Sequence, residues 1–291
     1  LKKNKSIVIF ALSYLISNYL SIHFNENMHI NPYRRKFLYK LVWASAASTL
    51  GPLNILKATE KKNSNQSISL IIDADTANEV DDAFAIARAL VEPRFNIKGL
   101  CSAQWHPQAN APNDSVGRSQ QMNEDLLALM GKSTIPHPMG SNSPMVSQLR
   151  AQPSPAASLI INEAHKMPSG EKLTVLTLGP ATNVASAILI DPSILPKLKC
   201  CYLGLWYNIK DQTWNKREFN SDNDPNALDV LLNTQNLELE IMTATTSKAL
   251  VFEKKQVNNH FKGKGEVFDY LITLWDNYDR FWQEKDPEKK Y

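Results

Sequence analysis

Four aspartates, Asp73, Asp75, Asp81 and Asp82, fall within ten residues in the segment IIDADTANEVDDAFAIARAL. Like charges this close repel one another, so the cluster asks for a compensating partner. Two chemical uses suit it. Converging carboxylates bind a hard divalent cation, which takes oxygen ligands in number and offsets their repulsion. Alternatively, a pair shares protons as acid and base with separated pKa values. A plainer reading is capping, since Asp81 and Asp82 open a helical pattern where free N–H groups and the helix dipole favour negative charge. Capping does not reach Asp73 and Asp75, which end the apolar run before it. Taken together, the four call for a cation.

The elements that position them read as alternating strands and helices from Ile68 onward. SISLIID is a short β-branched strand, and DDAFAIARALVEP has helical spacing with Pro93 after its end. FNIKGLCSAQ, STIPHPMGS, KLTVLTLG, KLKCCYLGLW and LELEIMTAT read as further strands. SVGRSQQMNEDLLALMG, SPAASLIINEAHKM, ATNVASAILI and NDPNALDVLLNTQ read as the helices between them. This order predicts an α/β fold, a mostly parallel sheet with helices on both faces. In such sheets ligands bind beyond the C-terminal strand ends, where the aspartates sit. Cys101, Cys200 and Cys201 lie in strand-like apolar runs and read as buried thiols, with Cys200 and Cys201 on opposite faces.

The first 67 residues have a different character. Ile7 to Leu20 is an apolar run of 14 residues behind Lys2, Lys3 and Lys5, short of the roughly 20 that a membrane span needs. From Met28, Arg34, Arg35, Phe37, Leu38 and Lys40 match the RRxFLxK pattern, so residues 28–58 resemble a twin-arginine export signal. Residues 1–27 then read as upstream sequence and 59–67 as a polar linker. The expected mature domain, 68–291, is exported to a periplasmic or extracellular location with no stable membrane insertion. The leader holds eight Lys/Arg and one Glu, leaving 24 basic against 28 acidic residues, a net −4. That balance gives no reason to expect nucleic acid as a partner.

Several motifs in order resemble the nucleoside hydrolase family: DxD, a loop and DDAxAI after a strand, LTVLTLGPATNVASAI, REFNSDNDPNAL and IPHPMGSNSPMV. The wider family has three residues between its second and third aspartates; this chain has five, Thr76 to Val80, as in a divergent branch. The resemblance implies a Rossmann-like fold and hydrolysis of the N-glycosidic bond of a ribonucleoside or related N-glycoside. It also implies a calcium cofactor. By position, Asp75, Asp82 and the main-chain carbonyl of Leu178 match the calcium ligands. Asp75 matches the base that takes a proton from water, and Asp73 a structural aspartate. Asp81, Glu218 and Asn220 match sugar contacts, with looser assignments for Gln212 and Asn110. His106, beside Trp105 in the loop after a strand, is the candidate facing the leaving base, whereas His137 and His165 read as packing or surface residues. Asp224, before Pro225, reads as a helix cap.

The resemblance further implies one more calcium aspartate after a C-terminal helix. EVFDYLITLWDNYDRFWQE supplies the helix, but Asp286 in the charged tail KDPEKKY is not assigned as that ligand. The expectation is a domain continuing beyond Tyr291, with the remaining ligand there and weakened calcium binding without it. Two other classes stay open at this point. One is a different metal-dependent hydrolase, such as a phosphatase, although the chain lacks a glycine-rich or basic phosphate cradle. The other is an exported sugar-binding or interaction module without turnover. A homo-oligomer is compatible with either.

Overall fold

Alternate residues along each central strand are apolar on both faces, and the computed structural model shows why: both faces of the sheet are covered. It describes residues 67–106 and 111–277. The leader 1–58, most of the linker, Asn110 and Asp286 lie outside the described residues. The chain runs β1 (Ile68–Ala74), α1 (Val80–Leu90), β2 (Phe95–Ser102), α2 (Ser115–Leu129) and α3 (Pro155–Lys166). It continues through β3 (Leu173–Thr177), α4 (Thr182–Ile190), a 3-10 turn (Pro192–Lys197) and β4 (Leu198–Leu203). Next come β5 (Trp206–Asn208), β6 (Thr213–Asn215), α5 (Phe219–Asn223), α6 (Pro225–Asn233) and β7 (Glu238–Met242). The last described elements are α7 (Ala244–Ser247), α8 (Lys254–Phe261) and α9 (Glu266–Asp276).

Five strands form one parallel sheet in the order β2-β1-β3-β4-β7. Side chains alternate between its two faces. Ile71, Cys101, Val175 and Cys200 pack against α3, α4 and α6. Leu70, Ile72, Leu100, Leu176 and Cys201 pack against α1, α2 and α9. Cys200 and Cys201 therefore do point into opposite cores, and all three thiols are free and buried. Burial pushes the Cys101 and Cys200 thiols far up and that of Cys201 to about 12, so none is a reactive thiolate. Among the described residues no helix is long and apolar enough to cross a membrane.

Three departures from the sequence reading have local causes. STIPHPMGS forms no strand; it touches the sheet edge through one bridge, Ser102 to Met139. Pro136 and Pro138 accept from Leu100 and Ser102 through their carbonyls but have no N–H to return. The strand read as KLKCCYLGLW ends at Leu203, and an antiparallel hairpin, β5–β6, follows it. Its turn has no glycine; Gln212 takes the left-handed conformation instead, φ 53°. Finally, α8 fully buries none of its residues, and its apolar side is only Val257 and Phe261, too short a stripe to read as a helix.

Candidate active site

From β1 the sheet extends to β2 on one side and to β3 on the other. Where neighbouring connections diverge in this way, the loops beyond the strand ends part and leave a crevice. Asp75 is the first residue past β1, and Leu178 the first past β3. Thr76 to Glu79 make the turn into α1, closed by Asn78 N–H donating to Asp75 O at 2.7 Å. That turn folds Asp82, in the first turn of α1, back onto Asp75, and their two carboxyl groups hydrogen-bond to each other. Glu79 occupies the N-cap position, yet no side chain caps the helix there.

Burial dominates the electrostatics. Asp75 is 2% exposed and Asp82 7%. Both carboxyls are pushed well above the usual carboxylate range, first by desolvation and then by the negative charges of Asp81 and Glu79 beside them. Asp82 is raised by Asp75 as well. Asp73 is fully buried, and desolvation lifts it to about 7 against the hydrogen bond from Asn183. Neither Asp73 Oδ2 nor Asp75 Oδ2 accepts a hydrogen bond, although both are buried.

The β3 turn closes over this pair. Leu178 N–H donates to Asp73 O at 2.8 Å, and the Leu178 carbonyl accepts from Asn220 Nδ2 at 2.6 Å. A Cβ on Gly179 would lie 2.6 Å from Asp75 Oδ1, so the main chain of this turn rests directly on the carboxyl. Asp75, Asp82 and Leu178 thus share one end of two adjacent strands. Among the described residues no three His, Cys, Asp or Glu side chains gather as a metal cluster. The donor set here is two carboxyls and a main-chain carbonyl, oxygen throughout. With an unpartnered buried oxygen on Asp75, it fits a hard cation that completes its shell with water.

Glu218 caps α5. Its carboxylate accepts from the Asn220 and Ser221 N–H groups, from Ser221 Oγ and from Leu205 N–H. Burial nonetheless raises its pKa. Asn220, 7% exposed, sits beside it. Asp81 is exposed in the first turn of α1. Gln212 is exposed in the turn of the β5–β6 hairpin, whereas Glu218 and Asn220 belong to the start of α5. His106 is exposed, with its N–H donating to Gln104 Oε1, while Trp105 is buried at 2% exposure. His137 binds the Ile135 carbonyl and His165 pairs with Asp191, both within their own surroundings. Asp224 caps α6 through Ala227 N–H, and it also accepts from Thr182 Oγ1 at 2.7 Å and Met145 N–H at 2.9 Å.

Sequence reasoning passed over two residues that hold the site. Asn183 donates to Asp73 Oδ1 and Ser102 O and accepts from Ser141 N–H and Ser154 Oγ, joining β1, β2, α3 and α4. Thr182 links Gln104 to Asp224. Both follow the strong strand KLTVLTLG, and two polar residues opening an otherwise apolar helix were the available signal.

Fold and site together place buried carboxyls at the switch point of a parallel α/β sheet. The inosine-uridine preferring nucleoside hydrolase model matches residues 70–290, and the chain belongs to that family. Its reaction is accordingly hydrolysis of the N-glycosidic bond of nucleosides. The chain is 24% identical over 236 residues to a probable uridine nucleosidase 1 of Oryza sativa subsp. japonica, covering 75% of this chain and 71% of that protein. It is 23% identical to a probable uridine nucleosidase 2 of Arabidopsis thaliana, covering 72% and 69%. The same fold occurs in a plant nucleoside hydrolase, with a TM-score of 0.59 at 19% identity, covering 77% of this chain and 74% of that one. It occurs also in an inosine-guanosine nucleoside hydrolase, with a TM-score of 0.58 at 20% identity and 72% of each chain covered.

Proposed function

We propose that the chain hydrolyses a ribonucleoside with Asp75 as the base that takes a proton from the attacking water. Asp75, Asp82 and the Leu178 carbonyl would hold a calcium cofactor. When bound, calcium lowers the pKa of the attacking water and keeps both carboxyls ionised despite their burial. The observation that carries this reading is the buried, unpartnered Asp75 Oδ2, hard against Asp82 at the switch point. Glu218 and the Oδ1 of Asn220 are assigned to the sugar hydroxyls, and Asp81 is a further sugar contact at the rim. A buried carboxylate beside the ring also stabilises the positive charge that develops on the sugar as the bond breaks. His106, just past β2, is assigned to the base that leaves, and Gln212 and Asn110 stay the looser assignments to the sugar.

Uridine is the first substrate to test, because the plant relatives are named as probable uridine nucleosidases. Turnover of uridine, inosine and adenosine should fall when calcium is chelated and return when it is restored. Asp75→Asn should abolish turnover without loss of the fold. Undiminished turnover after complete chelation would remove calcium from the mechanism, and an active Asp75→Asn would remove the base. We also infer that residues 28–58 direct export, on the strength of Arg34 and Arg35 before Phe37 and Leu38. Replacing both arginines by lysine should retain the protein in the cytoplasm of an expressing bacterium.

A further inference from the structure

Both N–H groups of the Asn220 side chain are already engaged by main chain. Nδ2 donates to Leu178 O at 2.6 Å and to Leu203 O at 3.0 Å. These two carbonyls stand at the ends of neighbouring parallel strands, at and just past the last paired residues, Thr177 with Tyr202 and Leu203 with Met242. A primary amide has two N–H donors, so neither remains for a sugar hydroxyl; only Oδ1 does. The residue is itself held firmly. Its N–H donates to Glu218 Oε1 at 3.3 Å, and Glu218 is anchored in turn by Ser221 and Leu205.

We propose that Asn220 is a positioning residue for the cation subsite, fixing the direction of the Leu178 carbonyl and joining that subsite to the Glu218 side of the pocket. This rests on the calcium reading above. A carbonyl oxygen has two lone pairs, so Leu178 can keep the Asn220 bond and still offer an oxygen beside Asp75. Without the amide, that carbonyl is free to turn. Calcium affinity follows site rigidity, and groups that orient a metal's ligands matter nearly as much as the ligands themselves. Because one side chain serves both subsites, their binding energies are linked, and linkage is reciprocal. A bound sugar that orders Asn220 through Oδ1 tightens calcium, and calcium tightens the sugar.

The test is calcium titration by calorimetry of the substrate-free full chain, beside Asn220→Ala and Asn220→Leu, the latter close to the original volume. Chemical unfolding in chelator confirms that each variant folds. Both variants should bind calcium roughly ten-fold or more weakly, and ribose should tighten calcium in the unaltered chain but not in either variant. A pure sugar contact would instead leave calcium affinity unchanged and raise only the KM for uridine. Calcium affinities within two-fold of the unaltered chain in both variants would overturn the proposal. If the unaltered chain binds no calcium, the calcium reading falls and this inference with it, a result visible before any variant is compared.

Discussion

Replacing Gly179 by alanine tests the placement of Asp75 without touching any carboxyl. The added methyl would stand 2.6 Å from Asp75 Oδ1, 3.0 Å from its Cγ and 3.0 Å from its main-chain nitrogen, where ordinary contact begins at 3.4 Å. Something must give by about 0.8 Å. The carboxyl has no easy exit, because Asp75 is 2% exposed and bonded to Asp82. Overpacking of this kind costs about 1–3 kcal/mol, which lowers the melting temperature by roughly 2–4 °C per kcal/mol in a domain of this size. The effect on rate should be larger in proportion, since displacing a reacting group by about 1 Å costs on the order of 100-fold. Steady-state kinetics on uridine and a thermal melt read the two effects separately. Gly170→Ala is the control. Gly170 has φ 81° with nothing within 4 Å of a new Cβ, so alanine there should cost about 1 kcal/mol through backbone strain and leave kcat intact. A Gly179→Ala enzyme with kcat within about three-fold of the original would refute the claim that the Asp75 position sets the rate.

Three further outcomes are expected. Asp73 is raised from 3.8 to about 7, so the folded chain binds that proton more tightly than the unfolded chain; its contribution to stability is intact below 3.8 and is lost as pH rises through about 7. Asp73→Asn, accepting from Asn183 through its own Oδ1, should therefore be more stable in chelator at pH 8, by up to about 4 kcal/mol. The two urea curves should converge near pH 4, and no gain at pH 8 would contradict burial as the cause. Glu92 is the opposite case, held down to about 2 chiefly by Arg94 and then Arg88. Its stabilisation is present above 4.5 and disappears as pH falls through about 2. Glu92→Gln should lose roughly 2–3 kcal/mol at pH 7, part of the shift being screened because Arg94 is 43% exposed. Trp275, 4% exposed, meets Phe84 of α1 edge-on at 5.6 Å. Trp275→Ala should cost about 3–5 kcal/mol, read as a lower urea midpoint, and a loss under 1 kcal/mol would mean that α9 is not part of the cooperative unit.

Some of this molecule is written in short-range pattern. Near-continuous apolar runs over Ile68–Ala74 and Leu198–Leu203, with helical stripes between, point to parallel strands buried on both faces, because only that arrangement covers them. The aspartates at the end of β1 announce the site for the same reason: strand, turn and helix follow one another directly from Ile68 to Leu90, and the turn brings Asp82 onto Asp75. Other features depend on residues far apart in the chain. The amide of Asn220 meets a carbonyl 42 residues away, and Asn183 meets Asp73 across 110. A side-chain amide offers donors and an acceptor in any context, so its type does not say whether a sugar or the main chain receives them. The register of β3 against β1 and β4 decides that. The β5–β6 hairpin is a related case, because Gln212 supplies the turn that glycine or asparagine ordinarily signals. The layered sheet and the acidic crevice are legible in the chain, since apolar pattern and local turn geometry are short-range properties. Which polar groups satisfy one another inside that crevice depends on the folded chain, since hydrogen bonds between distant residues form only after the strands have paired.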